Sequence, residues 1–115
     1  MGYIYGKYVT MNEQTIHAEL SVIPIGTISG TSMSKEIAAA FDAIRRVKDL
    51  KAMLTPMGTQ IETNNFANIL TAIEAAHLAV RSGGAKRIIT TIRIDQRLDR
   101  SISLQKKIDS VMEKL

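Results

Sequence analysis

The chain has 115 residues and a net charge of +4, so it has room for one domain with a single core of modest size. It contains no cysteine, which excludes disulfides and thiolate sites, and its dispersed Lys and Arg residues argue against nucleic-acid binding. It has no apolar run of membrane-spanning length and no signal-peptide pattern, so we expect a soluble cytoplasmic protein without a membrane partner.

The first strand is predicted over residues 15–25, where Ile16, Ala18, Leu20 and Val22 alternate with mainly polar residues. This period of two is typical of a strand that packs one face on a core. Residues 1–14 carry no clean period, and we interpret them as an N-terminal extension of a domain that spans residues 15–115.

A loop of small polar residues follows at 26–32, and either Ser32 or Ser34 is expected to cap the next helix. The later elements are read from changes of periodicity and from turn residues. They are a helix over 34–48, strands over 51–57 and 59–63, a helix from Asn64 and Asn65 to the glycines after Ser82, a strand over 86–95, and a final amphipathic helix.

Each predicted helix carries an apolar stripe at helical spacing. In the second helix the expected buried stripe consists of Phe66, Ile69, Leu70, Ile73, Ala76, His77 and Val80. The element order is βαββαβ followed by a helix, which predicts an α+β, ferredoxin-like sandwich with an added C-terminal helix. In that fold the first and last strands are neighbours, and the two helices cover one face of the sheet and leave the other bare.

Catalytic chemistry has little support in the sequence. The two histidines, His17 and His77, lie on different elements with no ligand spacing, which predicts no metal site. His77 is expected to be a hydrogen-bonded core histidine. No nucleophile motif surrounds the serines of the loop, and we predict neither a catalytic site nor a cofactor. A polar ligand that touches Thr27 or Ser32 at the helix start is the functional alternative to plain loop and cap chemistry.

The bare face of the predicted sheet carries a polar cluster of Glu19, Ser21, Glu62, Thr91 and Arg93. Glu19 and Arg93 fall on adjacent antiparallel strands, so we expect a cross-strand ion pair. The cluster could recognise the donors and acceptors of a heterocycle, or it could pack against another subunit. The second interpretation is favoured for most of these residues. The exposed aromatics that an RNA-binding sheet uses are missing from it.

Three segments together resemble a known family. They are residues 18–26 (AELSVIPIG), 56–62 (PMGTQIE) and 87–95 (RIITTIRID), and Ala76-His77 fits the same pattern. Their order and spacing are similar to the YkoF-like family of proteins that bind thiamine or its hydroxymethylpyrimidine half. The resemblance implies a non-catalytic binding protein that assembles through its sheets as a dimer or a dimer of dimers.

The chemistry of the ligand that the resemblance implies suggests a set of contacts. An aminopyrimidine suits a carboxylate and hydroxyl groups, and apolar side chains would flank the ring. The ligand is expected near the margin of the sheet, between the loop after the first strand and the Met57-Gly58 turn. The predicted ligand-binding residues are Glu19, Ser21, Thr27, Ser32, Met57, Gly58, Thr59, Glu62, Thr91 and Arg93.

Two alternative functions remain open. One is an interaction protein whose polar sheet face serves only oligomerisation. The other is an enzyme that uses Glu19, Glu62 and Arg93 on a small polar substrate, although the sequence pairs no nucleophile with a base.

Overall fold

The computed structural model describes residues 2–4, 6–8 and 14–115. Gly2–Ile4 (β1) and Gly6–Tyr8 (β2) pair antiparallel in a two-stranded sheet of their own. Residues 1, 5 and 9–13 of the predicted extension lie outside the described residues. The domain boundary after residue 14 therefore stays a prediction.

The remaining elements form the ferredoxin-like α+β fold that the element order predicts. The four-stranded sheet has the order β4-β5-β3-β6 with antiparallel pairing throughout, so the first and last strands of the motif are neighbours as expected. The elements are β3 (Ile16–Ile25), α1 (Ser34–Arg45), β4 (Lys51–Thr55), β5 (Gly58–Thr63), α2 (Phe66–Ser82), β6 (Arg87–Gln96) and α3 (Leu104–Met112).

The core lies between one sheet face and the helices α1 and α2. The alternation in β3 is confirmed, because all four of its predicted inward residues are buried. Ile61 of β5 is fully buried beside them, and α1 and α2 contribute small and branched side chains. The buried core residues are Ile16, Ala18, Leu20, Val22, Ala40, Ile44, Ile61, Ile69, Ala72, Ala76 and Val80.

Two details of the helices differ from the sequence prediction. The N-cap of α1 is Met33 and makes no side-chain cap bond, whereas Ser32 Oγ and Ser34 Oγ lie 3.0 Å apart and bond to each other. In α2 the expected stripe is too wide, because Phe66 is 46% exposed and Leu70 is 57% exposed. The small side chains of Ala72 and Ala76 let α2 approach the sheet closely. Phe66 and Leu70, at the sides of the stripe, therefore point toward solvent.

The second sheet face, called the outer face below, is not entirely bare. The α3 helix lies over one end of it, since the Leu104 N–H donates to Glu62 Oε1 at 2.7 Å and Lys107 pairs with Asp95. The prediction of an uncovered face is wrong for this end only. At the other end, β3 extends past β5: residues Ser21 to Ile25, including Pro24, pair with β6 alone.

Candidate functional site

The register of the sheet sets the polar side chains of the outer face side by side. Glu19 lies opposite Gln60 of β5 and Arg93 of β6, and residues directly opposite each other share a face. Glu19 Oε1 accepts a hydrogen bond from Arg93 Nη2 at 3.1 Å, and its Oε2 accepts one from Gln60 Nε2 at 3.3 Å. The predicted ion pair of Glu19 and Arg93 is therefore present, at the centre of a three-strand polar network.

The α3 helix is held over this network by polar contacts near its start. Leu104 is its first residue, and the first N–H groups of a helix have no partner within the helix. The carboxylate of Glu62 accepts one of them, a position where the helix dipole favours negative charge. Lys107, one turn later, donates to Asp95 Oδ2 on the edge strand β6. These contacts fix the height of α3 above the sheet.

Beyond these contacts α3 leaves open space above the sheet. We call this cavity of about 720 Å³ the α3 groove. Its wall is the stripe of α3 at spacings of three and four residues, and its floor is the polar network. The wall consists of Leu104, Lys107, Ile108, Val111 and Met112. The floor includes His17, Glu19, Gln60, Arg93 and Asp95.

His17 is the most enclosed polar group of the groove, with 5% of its surface exposed. Its Nε2 atom lies 3.6 Å from Glu62 Oε1 and has no hydrogen-bond partner among the described residues. Burial lowers the pKa of His17 below its ordinary value, and the nearby Lys107 charge acts in the same direction. Glu62, Asp95 and a backbone contact with Ile102 oppose that shift. Burial therefore favours the neutral form of the imidazole, whose Nε2 atom is free to contact a ligand.

A second concave region lies between α1 and the β4–β5 turn. We call this cavity of about 220 Å³ the turn cleft. Four predicted ligand residues line it, namely Ser21, Met57, Gly58 and Thr59. Thr59 faces the helices, because it lies opposite Leu20 and is buried, whereas Ser21 and Gly58 are on the outer face. The rest of the lining is largely apolar, with Met33, Ile37 and Ile44 among it.

The predicted ligand residues thus lie in several separate parts of the domain. Glu19 and Arg93 lie in the α3 groove, and Glu62 lies at its end beneath the start of α3. Thr27 and Ser32 belong to the loop between β3 and α1, where the Thr27 hydroxyl accepts the Ser29 N–H at 3.3 Å. Thr91 lies opposite Ser21 on the outer face and is exposed. These residues therefore do not line one combined pocket.

Sequence reasoning missed several groove residues, among them His17, Gln60, Asp95 and Lys107. The strand register brings His17, Gln60 and Asp95 together, but the groove that encloses them depends on where α3 lies. His77 is hydrogen-bonded as expected, with its Nδ1 2.7 Å from the Thr90 hydroxyl, but it is half-buried on α2 rather than part of the core. The described residues contain no group of three or more His, Asp or Glu that could hold a metal ion.

None of the helices in residues 14–115 is long and apolar enough to cross a membrane.

Comparison with known proteins gives a consistent result. Residues 18–112 match the family of thiamine-binding proteins. A UPF0045 protein of Methanothermobacter thermautotrophicus is 41% identical over 100 residues, which is 87% of this chain and 99% of that protein. The UPF0045 protein YqgV of Bacillus subtilis is 34% identical over 100 residues, covering 85% of this chain and 95% of its own length.

Solved structures share the fold. A hypothetical protein of Methanocaldococcus jannaschii has a TM-score of 0.77 and 31% identity, covering 86% of this chain and 97% of that one. A protein of Thermotoga maritima has a TM-score of 0.68 and 18% identity, covering 84% of this chain and 98% of that one. The Thermotoga protein carries a provisional assignment to thiamine biosynthesis or salvage.

Proposed function

Since this chain belongs to the family of thiamine-binding proteins, we propose that it is a non-catalytic cytoplasmic protein that binds thiamine or a related pyrimidine. The observation that carries the proposal is the α3 groove, which joins a hydrogen-bonding floor to an apolar wall. Its volume of about 720 Å³ falls in the range that small-molecule sites occupy. The provisional thiamine assignment of the Thermotoga relative agrees with this choice of ligand.

The floor suits an aminopyrimidine ring. Each oxygen of the Glu19 carboxylate accepts one bond within the protein and retains a lone pair for the amino group of a ligand. Arg93 and Gln60 retain N–H donors for the ring nitrogens. Ile108 and Met112 of α3 provide the apolar surface against which the ring would lie. A flat ring with one polar edge matches this arrangement.

The cationic thiazolium half of thiamine can also be accommodated. The chain as a whole is positively charged, but the groove contains the carboxylates of Glu19 and Asp95. Each of them already faces a basic partner, so the floor is close to neutral. A singly charged ligand therefore meets no strong repulsion there, and a neutral hydroxymethylpyrimidine meets none.

We also propose that the protein acts as a homo-oligomer. The outer face beyond the groove, called the open end below, carries exposed apolar side chains, which mark interaction sites when they cluster. They are Ile23, Ile25 and Ile89. Burial of the open end against a second copy would leave the α3 groove accessible at the other end of the same face. The same patch favours the alternative function, an interaction protein whose outer face serves only assembly.

Calorimetric titration with thiamine and with hydroxymethylpyrimidine tests the binding proposal. Glu19→Gln is expected to weaken both ligands about tenfold or more, because it removes a charged acceptor from the floor. Glu74→Gln, an exposed acid on α2, is the matched control and should leave the affinity unchanged. Met57→Ala should also leave it unchanged, because Met57 lies in the turn cleft.

Absence of binding heat at millimolar ligand would overturn the binding proposal and leave the interaction protein as the better description. Loss of affinity in Met57→Ala, with Glu19→Gln unaffected, would move the site from the α3 groove to the turn cleft.

A further inference from the structure

A second, smaller cavity adjoins the α3 groove. It has a volume of about 260 Å³ and shares His17, Asp95 and Lys107 with the groove, so the two spaces meet at these side chains. We call it the basic pocket. Its other lining residues come from the start of β3, the segment after β6 and α3, namely Thr15, Arg97, Arg100, Ile102 and Ser110.

The charges of the basic pocket are unbalanced. Three cationic side chains, Arg97, Arg100 and Lys107, face a single carboxylate, Asp95. Lys107 already donates to that carboxylate, and Arg97 makes two bonds of 2.7 and 2.8 Å to Asp99. Arg100 forms no ion pair within 4.0 Å among the described residues, although its positive charge helps to lower the pKa of the nearby Asp99. The pocket therefore has a cationic group without a direct partner, next to a floor that is close to neutral.

The donors of the pocket fit a phosphate group. A guanidinium binds two phosphate oxygens in parallel, which makes arginine the usual partner of phosphate esters. The side chains of Thr15 and Ser110 add hydroxyl groups to the same lining. Arg97 remains 49% exposed although it is paired, so it can exchange Asp99 for a ligand oxygen without uncovering a buried charge.

We propose that the basic pocket is a phosphate subsite of the α3 groove, and that the preferred ligand is a phosphate monoester of a thiamine-like pyrimidine. This inference rests on the proposed function, because the heterocycle occupies the groove. The ring lies between the Glu19 network and α3, and the ester oxygen points past His17 toward Arg100. The ligand then spans both cavities, and its charged end lies where the unpaired cation is.

Calorimetric titration with thiamine and with thiamine monophosphate tests the proposal. The monophosphate is expected to bind about tenfold tighter at low salt, since a charged hydrogen bond of this kind changes affinity by about that factor. This preference should decrease as sodium chloride is added, because the contacts are solvent-accessible. Thiamine itself should show little salt dependence, because the groove floor is close to neutral.

Arg100→Ala should abolish most of the preference for the monophosphate and leave thiamine affinity unchanged. Arg100→Lys keeps the charge but loses the planar guanidinium that binds two oxygens at once, so an intermediate preference for the monophosphate is expected. Arg81→Ala, which removes an exposed arginine from the last turn of α2, is the matched control and should preserve the preference. Circular dichroism of each variant confirms that the fold is retained.

The outcomes separate this inference from the proposed function. Equal affinity for the two ligands, or a preference that persists in Arg100→Ala, overturns the phosphate subsite while the binding function stands. Absence of binding by both ligands overturns the binding function and the subsite together.

Discussion

The Nε2 atom of His17 lies 3.6 Å from Oε1 of Glu62, and the same oxygen accepts the N–H of Leu104 at 2.7 Å. One carboxylate oxygen therefore stands between the buried imidazole of β3 and the first residue of α3. Any change in the charge of His17 acts on the contact that holds the start of α3.

The pH dependence of stability should report on His17. Burial, and then Lys107, lower its pKa in the folded protein below the ordinary value of 6.5, so the unfolded chain takes up the proton more readily. The contribution of His17 to the free energy of unfolding is therefore fully present above pH 6.5, and it is lost as the pH falls from there through the lowered pKa. Urea unfolding along a pH series from neutral to mildly acidic measures this decrease.

The chain contains a natural control for that experiment, since it has only two histidines. His17→Gln should flatten the pH dependence in this range, whereas His77→Gln should preserve it. A pH dependence that survives in His17→Gln would assign the effect to another group. Proton NMR of the His17 imidazole measures the direction of its pKa shift directly.

The attachment of α3 should depend on Lys107. Lys107→Ala removes the ion pair with Asp95, so α3 should open more often and its amides should exchange with deuterium severalfold faster. Amides of β3 should be unaffected, because its ladders to β5 and β6 remain. Lys106→Ala, at an exposed neighbouring position, is the control. Equal exchange of α3 in all three proteins contradicts this account of its attachment.

The core should be most sensitive at Ile61, which is fully buried on β5 between β3 and β4. Ile61→Ala leaves a cavity and should lower the free energy of unfolding by about 2–5 kcal/mol. Ile28 is fully exposed in the loop before α1, and Ile28→Ala should change it by less than about 0.5 kcal/mol. Chemical denaturation compares the two, and similar losses would contradict the placement of the core.

The open end should govern self-association. Ile89→Glu places a charge among the exposed apolar side chains of β6 and β3, so the mean mass in sedimentation equilibrium should decrease. Leu98→Glu, at an exposed position beyond the end of β6, should leave the mass unchanged. A monomeric unmodified protein, or an equal effect of both variants, would contradict assembly through the open end.

The fold was largely predictable because the relevant information is local. The alternation of β3 survives in the structure, since each inward residue is dictated by the core directly beneath it. The start of α2 at Asn65 was equally predictable, because the Asn65 Oδ1 accepts the Ala67 N–H at 3.0 Å, as an N-cap side chain does. The ion pair of Glu19 and Arg93 followed from topology, because neighbouring antiparallel strands bring opposite residues together.

The site was less predictable because it depends on a helix whose position is not locally encoded. The stripe of α3 shows that the helix is amphipathic, but not which surface it faces. In the sequence His17 is one of several polar residues predicted for an open face, and its burial follows only from the position of α3. The same limitation affects Phe66 and Leu70: helical spacing identifies apolar positions, but the width of the buried stripe depends on how closely α2 approaches the sheet.

β3 and β6 extend past β5 as a two-stranded ribbon, so part of β3 is open to pairing with another strand. Within the part of the chain that the structure describes, the side of β3 away from β6 has no neighbouring strand from Ser21 to Ile25, and a free edge of this kind favours strand addition. Pro24 has no N–H to offer an incoming strand, so this gap is protected. Intermolecular β-augmentation, whether productive or leading to aggregation, is thereby directed to β4 or β6.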